Sequence, residues 1–159
     1  MRSGLRKALL LYLVTDNRYV PGGCLMPALE KAVSGGVTMV QLRDKTLNTD
    51  GLAALASVIN ELTKPAGIPL IINDDLEAAL ISGAEGVHFG PDDMAVSLAR
   101  RAAGNDLIIG ASANSVEEAL RAESDGADYI GAGALYASAT KTNTRPLSPE
   151  TFRAICRAV

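Results

Sequence analysis

Aromatic residues are scarce in this sequence, and no stretch is apolar enough to cross a membrane. The 159 residues contain no tryptophan, two phenylalanines and four tyrosines, which argues against a protein that stacks nucleic-acid bases on aromatic rings. The formal net charge of −3 removes any general attraction to nucleic acid or to an anionic membrane. No run approaches the roughly 20 apolar residues of a transmembrane helix. We therefore expect neither nucleic acid nor membrane among its partners.

Cysteine is also scarce, and the two that occur lie near opposite ends of the chain. Cys24 and Cys156 form no CxxC or other metal-binding spacing, so two free thiols in a reducing compartment explain them best. Basic residues precede the apolar segment 8–14, but this segment is short and lacks a small-residue cleavage site. It therefore predicts a first strand rather than a signal peptide. We expect a cytoplasmic protein.

The abundant residues are small and aliphatic, and they recur in a regular pattern. Aliphatic cores suit parallel strands covered by helices, and strand-then-helix units follow one another roughly every 20 to 30 residues. The predicted strands are 8–15, 37–42, 69–72, 86–89, 107–112 and 127–131. Similar helix-Gly-strand junctions recur at Gly35-Gly36, Gly83 and Gly126, and this recurrence favours a TIM-type (β/α) barrel over a doubly wound sheet.

The length of the chain is short for such a barrel. A complete TIM-type barrel has eight βα units and about 200 to 250 residues, whereas this sequence has 159 residues. The fold prediction is therefore an α/β protein of the TIM type, truncated to about six βα units. We expect residues 1–159 to form a single domain that lacks the last two units.

Polar residues cluster where the predicted strands end. They are Gln41, Arg43 and Lys45 after the second strand, Asn73 and Asp74 after the third, Asp93 after the fourth, Ser112 at the end of the fifth, and Ser138, Thr140 and Lys141 after the sixth. Carboxyl ends of parallel strands meet at one rim, where a barrel presents its chemistry. Cations with an amide and hydroxyls suit a polyphosphate, and two carboxylates suit Mg²⁺.

Each of these groups also has a structural explanation. Asp74 or Asp75 can cap the helix that follows, and capping is a commoner role for aspartate than metal binding. Asp93 fits a turn, and the basic stretch 43–45 fits a solvated strand end. His88, the only histidine, lies inside a strand, and we expect it to be packed or hydrogen-bonded rather than catalytic. Tyr129 is expected in the core.

Six ordered motifs resemble the thiamine phosphate synthase family. They are LYLVTD at 11–16, VQLRDK at 40–45, IIND at 71–74, GVHFGPDD at 86–93, IGAS at 109–112 and DYIGAG at 128–133. The resemblance implies a Mg²⁺-dependent transferase with a TIM-type barrel. It implies two small-molecule substrates, 4-amino-2-methyl-5-pyrimidinylmethyl diphosphate and a thiazole phosphate, which are joined with release of pyrophosphate.

The resemblance also implies roles for individual residues. The diphosphate ligands carry over to Gln41, Arg43, Lys45 and Asn73, the metal acids to Asp74 and Asp93, and the pyrimidine contact to Ser112. A Thr-x-Thr-Lys segment carries over to Ser138, Thr140 and Lys141, with the hydroxyls at the thiazole phosphate and the lysine at the diphosphate. The catalytic groups implied in this way are Lys141, Ser112 and Arg43.

The missing units leave three hypotheses open. The family continues through two further βα units that complete the thiazole phosphate site, so the transferase activity would be impaired by truncation. A non-catalytic paralogue that binds a phosphate ligand or forms a homo-oligomer would instead cover the open strand edges with another chain. The related thiazole tautomerases carry a catalytic histidine just after the glycine that ends strand six, where this chain has Ala134.

Overall fold

A six-stranded sheet forms the centre of the protein. The computed structural model describes residues 2–16, 18–20, 24–136 and 146–159. Its strands are β1 Tyr12–Val14, β2 Met39–Leu42, β3 Leu70–Asn73, β4 Gly86–Phe89, β5 Ile108–Ser112 and β6 Tyr129–Gly131. They are ordered β1-β2-β3-β4-β5-β6, without the reversal of order that marks a doubly wound sheet. The predicted TIM-type α/β fold with six βα units is confirmed.

Seven helices accompany the strands in the described part of the chain. They are α1 Arg2–Ala8, α2 Leu25–Ser34, α3 Thr49–Thr63, α4 Leu76–Ser82, α5 Val96–Ala103, α6 Val116–Ser124 and α7 Pro149–Ala158. Side-chain caps begin α3, α6 and α7, where Asn48, Ser115 and Ser148 each accept a hydrogen bond from a first-turn backbone N–H. Gly83 ends α4 with a φ of 64°, as its place before a strand predicts.

The first strand is shorter than predicted, and the helix before it was missed. The prediction ran a strand over residues 8–15, but α1 extends through Ala8 and β1 begins only at Tyr12. Leu5 and Leu9, one helical turn apart, pack with Ala8 against a buried cluster that contains Met39. A continuous apolar run does not distinguish a helix from a strand by periodicity, so the boundary depends on this packing.

The chain divides into two compact units. Unit 1 comprises residues 1–87 and 106–108, and unit 2 comprises residues 88–105 and 109–159. Unit 1 contains β1 to β3, joined in parallel with Val14 opposite Gln41 and Gln41 opposite Ile71. Unit 2 contains β6, which pairs in parallel with β5 so that Ser112 lies opposite Gly131. The expectation of a single domain over residues 1–159 stays a prediction.

Each unit has its own buried aliphatic core. In unit 1, Val40, Leu70, Ile71 and Ile72 are fully buried, because parallel strands covered by helices bury both of their faces. In unit 2, α6 and α7 pack around Ile155 and Leu147. The strand ends are held by these cores, so the polar side chains that follow them are attached to rigid backbone.

Candidate active site

The basic strand end of unit 1 is fixed by a buried threonine. Thr15 follows β1, and its backbone N–H donates to the carbonyl of Gln41 at 2.9 Å. The backbone N–H of Arg43 in turn donates to the hydroxyl of Thr15 at 2.9 Å. These bonds continue the β1–β2 ladder beyond the strands. The Arg43 guanidinium, which is 29% exposed, is thereby held 3.7 Å from a carboxylate oxygen of Asp16.

Gln41 is the most buried of the predicted ligands that the structure describes. It is 5% exposed, and its side-chain amide N–H donates to the phenol oxygen of Tyr12 at 2.7 Å. An amide held in this way has one orientation rather than several. Tyr12 was not predicted as a partner, since the pair is 29 residues apart in sequence.

Asp74 is free of the capping role that was its structural alternative. The cap of α4 is Asp75, whose carboxylate accepts from the backbone N–H of Ala78 at 2.8 Å and from the hydroxyl of Thr49 at 2.8 Å. Asp74 instead has a φ of 67°, a left-handed conformation that few residues other than glycine adopt. Its carboxylate forms an ion pair with the ammonium of Lys45.

The turn after β3 is tight, and it begins at Asn73. The backbone N–H of Asp75 donates to the carbonyl of Asn73 at 2.9 Å, so the last residue of β3 and the two aspartates after it form one tight turn. The Asp74 side chain is 23% exposed and that of Lys45 58% exposed. An exposed ion pair of this kind is worth little to stability, and its two charges remain accessible to a ligand.

Asp16 joins the same basic region, although the sequence analysis did not single it out. Arg18 donates from Nε at 2.9 Å and from Nη2 at 2.6 Å to its two carboxylate oxygens. The Arg18 guanidinium lowers the pKa of Asp16 from 3.8 to about 2. The signal that could have identified Asp16 is its position directly after the first strand, which is the criterion that selected the other residues.

Asp93, the second predicted metal acid, lies in unit 2 and closes a turn after β4. Its carboxylate accepts from the backbone N–H of Gly90 at 2.7 Å, and its own N–H donates to the Gly90 carbonyl at 3.3 Å. The turn interpretation therefore holds. Because Asp93 is exposed, the turn presents its carboxylate at the surface of the unit.

Ser112 belongs to a hydrogen-bonded network in unit 2. Its hydroxyl lies 3.0 Å from Nε2 of His88, and Nδ1 of the same ring lies 3.0 Å from the phenol oxygen of Tyr129. The two rings stack with centroids 5.4 Å apart. The expectation that His88 is hydrogen-bonded within the structure is confirmed, and so is the burial of Tyr129, which is 9% exposed.

Three predicted residues, Ser138, Thr140 and Lys141, lie outside the described residues. Of the implied catalytic groups, Arg43 and Ser112 are therefore described. In the described ranges no group of three or more His, Cys, Asp or Glu side chains converges as a metal site. Mg²⁺ commonly takes only one or two carboxylates when phosphate oxygens and water complete its shell, so two acids suffice chemically.

Among the described residues, no helix combines the length and the apolar character that a bilayer crossing requires.

The sequence has close similarity to curated proteins of one type. Residues 11–159 match the family described as thiamine monophosphate synthase. The thiamine-phosphate synthase of Caldanaerobacter subterraneus subsp. tengcongensis is 46% identical over 149 residues, which cover 94% of this chain and 70% of that protein. The thiamine-phosphate synthase of Ruminiclostridium cellulolyticum is 45% identical over 149 residues, covering 94% and 71%.

A solved structure agrees with these matches. The thiamine phosphate pyrophosphorylase from Pyrococcus furiosus superimposes with a TM-score of 0.86 at 35% identity, over 98% of this chain and 73% of that chain. The family resemblance predicted from six motifs is confirmed, and with it the expected class of enzyme.

Proposed function

This chain belongs to the thiamine monophosphate synthase family, and from that premise we propose that it joins 4-amino-2-methyl-5-pyrimidinylmethyl diphosphate to a thiazole phosphate. Pyrophosphate is the second product. The observation that carries the proposal is the charged cluster at the strand ends of unit 1. There Lys45 pairs with an aspartate that the helix cap does not use, and Arg43 stands on a fixed backbone.

The cluster has the chemistry that a diphosphate requires. The planar guanidinium of Arg43 suits bidentate contact with phosphate oxygens, and the ammonium of Lys45 supplies a compact positive charge. Both side chains keep part of their surface exposed. Gln41 and Asn73 are the neutral diphosphate ligands of the proposal, and Lys141 is its third cation.

Mg²⁺ is the proposed cofactor, and Asp74 and Asp93 are its proposed carboxylate ligands. Carboxylate oxygens are hard donors of the kind that Mg²⁺ prefers. The positive φ of Asp74 supports the assignment, because strained backbone conformations cluster at functional sites. When bound, the ion supplies positive charge that stabilises the departing pyrophosphate.

The reaction asks this chain for positioning and electrostatics. The bond between the pyrimidine methylene carbon and the diphosphate oxygen breaks, and its electron pair leaves with pyrophosphate beside Arg43 and Lys45. The methylene cation is stabilised by its own pyrimidine ring, which Ser112 contacts. The lone pair of the thiazole nitrogen then forms the new carbon–nitrogen bond, while Ser138 and Thr140 hold the thiazole phosphate. No general base is needed, so oriented charges carry the catalysis.

A turnover assay tests the proposal. The chain is incubated with both substrates and Mg²⁺, and thiamine phosphate and pyrophosphate are quantified together. We expect equal amounts of the two products at an enzymatic rate, roughly 1 to 10³ s⁻¹. Asp74→Asn should lower this rate at least about 100-fold, because charge stabilisation by a metal contributes several kcal/mol. Asp50→Asn, at an exposed acid of α3, is the matched control and should turn over normally.

One outcome of this assay would contradict the proposal. A folded chain that binds the pyrimidine diphosphate yet forms no thiamine phosphate at any Mg²⁺ concentration would contradict the transferase and favour a non-catalytic binder. The assay includes thiazole phosphate at saturating concentration, so that weak acceptor binding does not limit the rate.

The proposal extends to the setting in which the protein works. We expect a cytoplasmic protein whose partners are its two substrates, without nucleic acid or membrane. The sheet order places β1 and β6 at its two ends, and open parallel edges pair readily with another chain. A homo-oligomer that covers these edges is therefore expected. Light scattering measures the mass in solution, and a stable monomer would contradict this expectation.

A further inference from the structure

His88 forms hydrogen bonds through both of its ring nitrogens, and this limits which nitrogen can donate and which can accept. Nδ1 lies 3.0 Å from the Tyr129 phenol oxygen and Nε2 lies 3.0 Å from the Ser112 hydroxyl oxygen. A neutral imidazole has one N–H donor and one acceptor nitrogen. If Nδ1 accepts from Tyr129, Nε2 must donate to Ser112. In the reverse tautomer, Ser112 has to donate its own proton to Nε2.

We propose that His88 is a positioning residue whose Nε2–H tautomer, set by the Tyr129 phenol, leaves the Ser112 hydroxyl proton free to donate to the substrate. In this arrangement Tyr129 donates to Nδ1, and Nε2–H donates to the Ser112 oxygen. The identity of that substrate as the pyrimidine rests on the proposed function. The tautomer itself does not.

The direction in which these side chains donate hydrogen bonds follows from the acidity of the two hydroxyl groups. A phenol is a stronger acid than an aliphatic alcohol, so the Tyr129 hydroxyl is a better hydrogen-bond donor than the Ser112 hydroxyl. Successive hydrogen bonds that point the same way polarise and strengthen one another. Donation from the Tyr129 phenol to His88, and from His88 to Ser112, is therefore favoured over donation in the opposite direction. Tyr129 is 9% exposed, so little water competes for its proton.

Glycines on the neighbouring strands β5 and β6 leave room for the side chains of this network. Gly110 lies opposite Tyr129 in the β5–β6 register, and a Cβ at position 110 would lie 2.1 Å from Cζ of Tyr129 and 2.5 Å from Nδ1 of His88. Gly131 lies opposite Ser112, and a Cβ there would approach Cε1 of His88 to 3.2 Å. Two glycines therefore leave space for the two rings over neighbouring strands.

The network also extends toward the carboxyl ends of the strands, where catalytic groups are expected. Tyr129 begins β6 and Ser112 ends β5, and the register places Tyr129 two residues before the level of Ser112. The hydrogen bonds therefore lead from a buried phenol to a hydroxyl at the carboxyl end of a strand. Catalytic groups of TIM-type folds come from such strand ends.

The tautomer can be read directly because the chain has one histidine. Long-range proton–nitrogen correlation spectra of ¹⁵N-labelled protein distinguish a protonated from an unprotonated ring nitrogen. At about pH 8, where an unperturbed imidazole is neutral, we expect His88 to be protonated at Nε2. Tyr129→Phe keeps the stacked ring but removes the donor, so the Nδ1 resonance should shift and the Nδ1–H tautomer should gain population. Tyr19→Phe, which removes an exposed tyrosine hydroxyl of unit 1, should leave the spectrum unchanged.

A double-mutant cycle tests whether Tyr129 acts through Ser112. Tyr129→Phe should lower kcat/KM about 10- to 100-fold, the range seen when partners that orient functional side chains are removed. In a Ser112→Ala background the same change should have almost no further effect, because its target is gone. A merely structural phenol would give additive losses.

These measurements separate the two proposals. A wild-type spectrum with the proton on Nδ1, or a spectrum that Tyr129→Phe does not alter, would overturn the positioning role and requires no substrate. The expected tautomer in a folded protein without turnover would support the polarity of the network and would count against the transferase alone.

Discussion

The two units place different chemistry at the ends of their strands. In unit 1 the polar groups include two partly exposed ion pairs, Lys45–Asp74 and Arg43–Asp16. In unit 2 they include a hydrogen-bonded network of Ser112, His88 and Tyr129, of which Tyr129 is buried. Exposed charges exchange partners easily and are screened by salt. A buried network instead holds one geometry.

Under the proposed function, the two groups of side chains would have different roles. Side chains in exposed ion pairs can exchange their partner for an anionic ligand, as the proposed diphosphate contacts require. Side chains in a hydrogen-bonded network with one geometry are suited to orienting a ligand rather than to attracting an anion. The predictions that follow alter one side of this comparison at a time.

The largest effect is expected from filling the space under the unit 2 network. Gly110→Ala puts a Cβ 2.1 Å from Cζ of Tyr129, so both rings must move. We expect a loss of about 1–3 kcal/mol in the free energy of unfolding, as for other overpacked cores, measured by denaturant titration. The His88 resonances should also shift. Gly4→Ala, where no atom lies within 4 Å, should not destabilise the protein, and equal losses in both variants would contradict this account.

The next effect is a loss of affinity for the pyrimidine diphosphate. The salt dependence of that affinity should distinguish a charged contact from a neutral one. Arg43→Gln should weaken binding of the pyrimidine diphosphate by about 10-fold or more, because hydrogen bonds to charged groups contribute about 1.5–3 kcal/mol. The salt dependence of binding should become shallower in this variant. Ser112→Ala should weaken binding without changing the salt dependence. Calorimetry at low and high ionic strength measures both, and a parallel salt response in the two variants would remove the distinction.

A smaller effect distinguishes the backbone settings of Asp74 and Asp93. Asp74→Gly relieves a positive φ and loses only an exposed ion pair, so stability should rise by up to about 1 kcal/mol. Asp93→Gly loses the bond from the Gly90 N–H and should lower stability by about 1 kcal/mol. Thermal unfolding measures both changes. A loss of stability in Asp74→Gly would contradict the strain assigned to the Asp74 backbone.

The smallest effect is a pH dependence that belongs to unit 1. The Arg18 guanidinium holds the pKa of Asp16 at about 2, below its ordinary value of 3.8. A depressed pKa contributes stability that is complete above 3.8 and is lost as the pH falls toward 2. This contribution is small because the pair is exposed. Asp16→Asn should flatten the stability profile in that window, and an NMR titration of the Asp16 carboxyl that gives an ordinary midpoint would contradict the assignment.

The fold was predictable from the sequence because its signals are local. Apolar runs that follow a helix-ending glycine predicted six strands, and the sheet contains them in chain order. Helix α1 was missed because residues 8–12 form one apolar run without a period. Its boundary depends on packing against Met39, which is distant in sequence.

The sequence selected the types of the candidate site residues but could not give their pairings, and their roles stay predictions. The rule that strand ends converge identified Arg43, Lys45 and Asp74, and it also applies to Asp16. It could not tell which of two adjacent aspartates caps α4, because that choice depends on backbone angles. Nor could it join His88 to Tyr129, since the pair is 41 residues apart and meets only through the strand register.

The measurement that tests the central claim most directly is calorimetric titration of the pyrimidine diphosphate into the protein, with and without Mg²⁺. We predict binding that depends on Mg²⁺ in the wild type and in Asp50→Asn, and that is abolished in Asp74→Asn and in Asp93→Asn. Binding of unchanged affinity in either of the last two variants, or without Mg²⁺, would contradict the proposal that these carboxylates hold a metal for the diphosphate.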